Sequence, residues 1–126
     1  MRIGIDIIEI ERISHWLNTD KDKLGRLFTK RELEYFHTKN WAPETVAGMY
    51  CAKEAFFKAL GTGIIPSKML ELEILHDPHG SPFYKLSPRL VTDHRLSTAR
   101  LQLSISHTKT IVAVAVCLIL HLDAFI

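Results

Sequence analysis

An α+β domain, with helices packed on an antiparallel sheet, is the fold class this sequence predicts. Apolar residues recur at helical spacing through the first half of the chain, then alternate with polar ones through most of the second. Turn sequences, not helices, join the paired late segments, so those strands run antiparallel. No repeat, low-complexity stretch or linker interrupts the 126 residues, which therefore read as a single domain over 1–126.

The elements follow in order. Ile3, Ile5 and Ile7 alternate with Gly4, Asp6 and Ile8, the period of a short strand, with Asp6 pointing away from the three isoleucines. The simplest reading of Asp6 is a carboxylate on the solvent face. Ile10, Ile13 and Leu17 mark a helix over 9–18. Thr29 and Glu32 form a capping box, with Phe28 placed to staple onto Leu33, and that helix should run to about Thr38. Trp41-Ala42-Pro43 ends it, and Pro43 suits the first turn of a longer helix ending near Leu60. Gly48, Ala52, Ala55 and Ala59 stripe that helix with small residues, which lets it lie close to a neighbouring backbone, and Gly61 is a suitable C-terminal cap.

Leu70, Leu72 and Ile74 then alternate with Glu71 and Glu73 as a strand, and Asp77-Pro78-His79-Gly80 turns the chain back into 82–86. Ser87-Pro88 opens a short helix reaching about Leu96. Leu101, Leu103 and Ile105 alternate with Gln102, Ser104 and Ser106. After a turn at 107–110, residues 111–120 read as a strand buried on both faces.

Composition narrows the function classes. At 47% hydrophobic, 24% charged and a net charge of +2, the chain looks like an ordinary globular protein. Nucleic-acid binding has little support: the charge is nearly balanced, and Phe56 and Phe57 suit a helix core better than a stacking platform. Residues 85–109 hold five basic side chains against Asp93 alone, a mild patch compatible with phosphates or acidic partners. Asp6 lies where a signal peptide would need apolar residues, and the longest apolar run is about half the length of a membrane-spanning helix. Cys51 and Cys117 fit no metal spacing and sit among apolar neighbours, as buried reduced thiols of a cytoplasmic protein would.

The densest chemistry is in 53–63, where Lys53, Glu54 and Lys58 lie on a helix that ends in Gly61-Thr62-Gly63. Glu54 and Lys58, four residues apart, share a face. A carboxylate for a divalent cation beside an ammonium for a phosphate describes a site for phosphorylated substrates; an ordinary surface ion pair has the same spacing. Asp6 and His107, the latter at a strand end, are the other candidates. No Walker loop, dinucleotide fingerprint, metalloprotease helix or nucleophile elbow is present, so a nucleophile would come from a substrate.

Three segments together resemble one family. Gly4-Ile5-Asp6-Ile7-Ile8-Glu9-Ile10-Glu11-Arg12-Ile13 is similar to the opening motif of the holo-acyl-carrier-protein synthases, the small phosphopantetheinyl transferases. Residues 53–64 reproduce the family's Lys-Glu-Ala-x-x-Lys-Ala helix followed by Gly-Thr-Gly-Ile, and Ser104-Ile105-Ser106-His107-Thr108 resembles its late strand-end segment. Order, spacing and length agree from residue 3 to about 118.

The resemblance implies transfer of the 4'-phosphopantetheine arm of coenzyme A to a serine of apo acyl carrier protein in fatty acid synthesis. Adenosine 3',5'-bisphosphate is released, and magnesium, or manganese with the same oxygen ligands, is required. It implies Asp6 and Glu54 as metal ligands, Glu54 and Lys58 as catalytic residues, and Lys58, Gly61, Thr62, Gly63, His107 and Thr108 at coenzyme A. Arg12 would meet the carrier protein, with Lys30 and Arg31 extending its patch. The assembly implied is a homotrimer with active sites at subunit boundaries, His107 and Thr108 coming from a neighbouring subunit. The serine proton would pass to Glu54 or to a water on the cation. Two positions depart from the family's habit: Met49 stands where an arginine is common, and Gly80-Ser81-Pro82 replaces Gly-Lys-Pro. A non-catalytic module that binds a nucleotide or an acidic protein is the competing reading.

Overall fold

The structure is a computed structural model and describes residues 1–120; the last six positions of the expected domain lie outside it. Strand β1 (Arg2–Glu9) leads into α1 (Ile10–Thr19), α2 (Lys21–Leu27), α3 (Lys30–Thr38) and the long α4 (Pro43–Leu60). A 3-10 turn (Pro66–Glu71), the hairpin β2 (Leu72–His76) and β3 (Pro82–Leu86), α5 (Pro88–His94), β4 (Arg100–His107) and β5 (Ile111–Ile119) complete it. β5 is the centre of a three-stranded antiparallel sheet in the order β1-β5-β4, and β2-β3 form a separate ladder. The predicted α+β class therefore holds.

α4 is the organiser. Pro43 occupies its first turn, Gly61 ends it in the left-handed conformation at φ 84°, and Val46, Met49, Cys51, Phe56 and Phe57 are among its fully buried residues. Each large side chain so buried contributes about 1.5–3 kcal/mol of apolar transfer energy. The small-residue stripe serves as expected: a Cβ added to Gly4 of β1 would lie 1.9 Å from the Ala55 carbonyl oxygen and 2.8 Å from the Ala59 nitrogen. Only glycine lets this strand and this helix pack at that distance.

The capping box at Thr29 and Glu32 forms with both hydrogen bonds. Glu32 also has a second role: fully buried, it pairs with buried Lys53 at 2.7 Å and accepts from the Ile74 backbone at 3.0 Å. Lys53 further donates to the carbonyls of Leu27 and Met69. This lysine therefore ties α4 to α3, the end of α2 and the 3-10 turn.

Four expectations change. The first strand is inverted: Gly4, Asp6 and Ile8 face inward, while Ile3, Ile5 and Ile7 are about 60% exposed. Gly4 must touch α4, and the period of two then carries Asp6 inward with it. β5 is buried on one face only, alternating from Val112 to Leu118, and Cys117 on the other face is half-buried. Pro66 starts a 3-10 turn that takes Leu70 and Glu71 out of the predicted strand, so β2 begins at Leu72. α2 had no prediction; Asp20 caps it through the Lys23 amide and Leu24 anchors it. No helix among the described residues is long and apolar enough to cross a membrane.

Candidate active site

β1 and α4 bring Asp6, Glu54 and Lys58 together. Asp6 is 6% exposed, and both of its carboxylate oxygens accept hydrogen bonds from α4. Lys58 Nζ donates to Oδ1 at 2.8 Å and the Cys51 thiol donates to Oδ2 at 3.4 Å. Lys58 also reaches the Ile5 carbonyl at 3.2 Å, yet half of its side chain stays in solvent. Its hydrogen bond to Asp6 raises its pKa above the usual lysine range, so the ammonium stays charged.

Glu54 is half-buried one turn before Lys58. Burial is the largest cause of a pKa above the ordinary glutamate value. The Asp6 carboxylate raises it further, while the Tyr50 hydroxyl and the Arg12 charge oppose the rise. Two carboxyls within electrostatic reach of each other, one of them partly desolvated, favour a cation between them. Burial, with the charge of Asp6 next, also pushes the Cys51 thiol far above its ordinary range, so the S–H form meets Asp6.

The donor set suits a hard cation. Among the described residues no three or more histidine, cysteine, aspartate or glutamate side chains gather into a metal cluster. Two oxygen carboxylates with space for phosphate oxygens and water are what magnesium accepts, unlike the closed nitrogen and sulfur cages of zinc.

The remaining candidates divide between the two ends of α4. At its C-terminal end, Gly61 lies against the Arg2 guanidinium, where a Cβ would come within 2.2 Å of Nη2. Gly63 also has positive φ, 67°, and open space around it. Thr62 turns its hydroxyl back on the Gly63 carbonyl at 2.8 Å, leaving a loop of exposed backbone.

His107 and Thr108 lie at the opposite end. His107 pairs across the sheet with Val112, which packs near Gly48 in the first half of α4. Gly48 and Gly61 are about 20 Å apart along α4, so His107 and the Gly61–Gly63 loop stand well apart within this chain. His107, Thr108 and Lys109 border a cleft of about 500 Å³ with Ile10 and Glu44. A neighbouring cleft of about 320 Å³ joins His107 to Met49, Gly48, Tyr35 and His76. Met49 is buried in its lining, so no cation stands at that position. Ser81 donates its amide to Asp77 Oδ1 and adds no charge to the turn.

Arg12 is exposed on α1, and its guanidinium carbon is 5.2 Å from the centre of the Trp16 ring. The same ring meets Tyr50 edge-on at 4.9 Å, so Arg12 borders the carboxylate pair instead of standing apart from it. Arg31, placed in the same patch by the sequence, is instead spent on Glu73.

Comparisons with known proteins point to one family. Residues 2–117 match the 4'-phosphopantetheinyl transferase superfamily. A holo-[acyl-carrier-protein] synthase of Clostridium perfringens (strain 13 / Type A) is 42% identical over 115 residues, covering 86% of this chain and 85% of that protein. One from Clostridium botulinum (strain Alaska E43 / Type E3) is 38% identical over 108 residues, covering 86% and 88%. The crystal structure of a holo-(acyl-carrier-protein) synthase from Bacillus anthracis in complex with CoA (3',5'-ADP) superposes with TM-score 0.75 at 34% identity, over 93% of this chain and 94% of that one. The Helicobacter pylori enzyme in complex with coenzyme A gives 0.77 at 29% identity, over 92% and 98%. With its motifs, fold and relatives in agreement, this chain belongs to the 4'-phosphopantetheinyl transferase superfamily.

Proposed function

We propose that this protein is a magnesium-dependent holo-acyl-carrier-protein synthase of the cytoplasm, acting in fatty acid biosynthesis as a single transferase domain. It moves 4'-phosphopantetheine from coenzyme A to a serine of apo acyl carrier protein. The observation that carries this reading is the inward-facing Asp6 of β1 against Glu54 and Lys58 of α4, in a chain about 40% identical to synthases of that name.

In this reading Asp6 and Glu54 hold the magnesium or manganese ion. What such an ion adds when bound is positive charge beside the pyrophosphate, where negative charge develops. Lys58 provides a second charge: half-exposed, it can swing between Asp6 Oδ1 and a phosphate oxygen. The backbone of Gly61, Thr62 and Gly63 admits the phosphates closely. The serine oxygen bonds to the phosphopantetheine phosphorus as the bond to adenosine 3',5'-bisphosphate breaks. Glu54 takes the serine proton. It is the carboxyl of the pair not ion-paired to Lys58, so one of its two oxygens is available for this role.

Shared sites in a homotrimer account for two observations. Ile3, Ile5 and Ile7 pair in register with Cys117, Ala115 and Ala113 on a largely exposed, apolar sheet face. Such a face is a subunit contact more often than a solvent surface. A neighbouring copy would also bring its His107 and Thr108 to the coenzyme A held at Gly61–Gly63, where this chain's own pair stands about 20 Å away along α4. Arg12, at the rim of the carboxylate pair, would receive the acidic carrier protein.

The test is the intact mass of an apo acyl carrier protein incubated with this protein, coenzyme A and magnesium. A gain of one phosphopantetheine, abolished by chelator and by Asp6→Ala or Glu54→Ala, is expected. Coenzyme A binding with no mass change on several carrier proteins would overturn the assignment in favour of a binding module.

A further inference from the structure

Both carboxylates of the pair have neighbours on one turn of α4 that play no part in the scheme above. Cys51 and Tyr50 are consecutive, and the helix turns them toward different partners. Cys51 is fully buried between β1 and β5; its thiol lies 3.4 Å from Asp6 Oδ2 and 3.9 Å from the Val112 carbonyl. With Lys58 on Oδ1, Asp6 is held at both oxygens and cannot rotate about its terminal bond without losing a contact. Tyr50 lies four residues before Glu54, the spacing at which side chains of one helical face meet, and it is near enough to the Glu54 carboxyl to oppose the rise in its pKa. Its ring is fixed edge-on by Trp16 at 4.9 Å, and Trp16 is itself covered by Arg12 and by Lys23 at 4.0 Å.

We propose that Cys51 and Tyr50 are positioning residues, the first orienting Asp6 and the second Glu54 for the cation. The proposal rests on the reading of Asp6 and Glu54 as the metal pair. Groups that orient metal ligands contribute to affinity because an unrestrained carboxylate must be ordered on binding. Neither residue touches substrate or phosphorus in this scheme. Their removal should therefore weaken cation binding and leave carrier-protein recognition alone.

The experiment titrates magnesium calorimetrically into the intact protein at saturating coenzyme A, for wild type, Cys51→Ala, Cys51→Ser and Tyr50→Phe. The magnesium Kd is expected to rise about tenfold in Cys51→Ala and in Tyr50→Phe, and to stay within about twofold in Cys51→Ser, which keeps a donor. In steady state, kcat should recover at high magnesium while KM for carrier protein stays unchanged. Tyr50→Phe retains the ring and its Trp16 contact, so it decides the question if Cys51→Ala does not fold. A wild-type magnesium Kd in both Cys51→Ala and Tyr50→Phe overturns the inference while leaving the metal pair standing. A wild-type protein that binds no magnesium overturns both.

Discussion

Gly4→Ala is the substitution through which fold and function are most directly coupled. The added methyl would sit 1.9 Å from the Ala55 carbonyl oxygen and 2.8 Å from the Ala59 nitrogen, where ordinary contact begins near 3.4 Å. Both obstacles are backbone atoms of one helix, so no side chain can swing aside, and β1 must retreat from α4 by roughly 1.5 Å. Overpacking of this kind costs about 3 kcal/mol, the upper part of the usual range. For a chain of this size that corresponds to a fall in Tm of roughly 10–15 °C. The same displacement separates Asp6 from Glu54 and Lys58, and misplacing reacting groups by about 1 Å costs about a hundredfold in turnover. Thermal unfolding and the carrier-protein mass assay, run on the same preparation, measure both effects. Gly25→Ala is the control: its Cβ meets nothing within 4 Å in α2, so alanine there should stabilise by about 0.5–1 kcal/mol. A Gly4→Ala protein with wild-type Tm and full turnover would refute the close-packing argument.

Other expectations follow from single contacts. Lys53→Met leaves the buried Glu32 carboxylate without its cation and should cost about 3–5 kcal/mol in urea unfolding, part of it recovered by adding Glu32→Gln; a loss under about 1 kcal/mol would contradict the buried pair. The Arg31 hydrogen bond holds the Glu73 carboxyl below the usual glutamate range. A depressed folded pKa stabilises above the ordinary carboxylate pKa and loses that effect as pH falls through the folded value. Glu73→Gln should thus be less stable than wild type at neutral pH, with the gap closing in acid; a gap independent of pH would contradict this. Ile5→Lys on the exposed sheet face should yield a folded monomer by light scattering, whereas a monomeric wild type would rule out shared sites. Arg12→Ala should raise KM for the carrier protein and spare that for coenzyme A, and the reverse pattern would remove Arg12 from the docking surface.

Much of this was legible in the sequence, and the failures have definite physical causes. α4 was readable from end to end because its start, stop and small-residue stripe are local features: Pro43, Gly61 and Gly48 through Ala59. The capping box of α3 was readable for the same reason. Asp6 was identified as a candidate, but its face was assigned wrongly. Alternation shows that a strand has two faces; which one turns inward depends on the neighbour, and here Gly4 is the residue that fits α4. The three isoleucines misled because an apolar outer face that another copy would cover looks like a core face. The Lys53–Glu32 pair was invisible, since 21 residues separate the partners and only the fold brings them within 2.7 Å. α2 offered Leu24 and Leu27 around a glycine, too little periodicity to stand out. Cys51 and Tyr50 beside the carboxylates were equally out of reach. A buried thiol and an aromatic on a helix are ordinary core residues until their partners are located.

The proposed chemistry turns on a divalent cation held between Asp6 and Glu54. Crystals grown with coenzyme A and manganese, measured for the anomalous scattering of the metal, test that directly. One strong peak within coordination distance of both the Asp6 and Glu54 carboxylates and of a coenzyme A phosphate oxygen is predicted. Bound coenzyme A with the metal peak elsewhere, or with none at this pair, would contradict it.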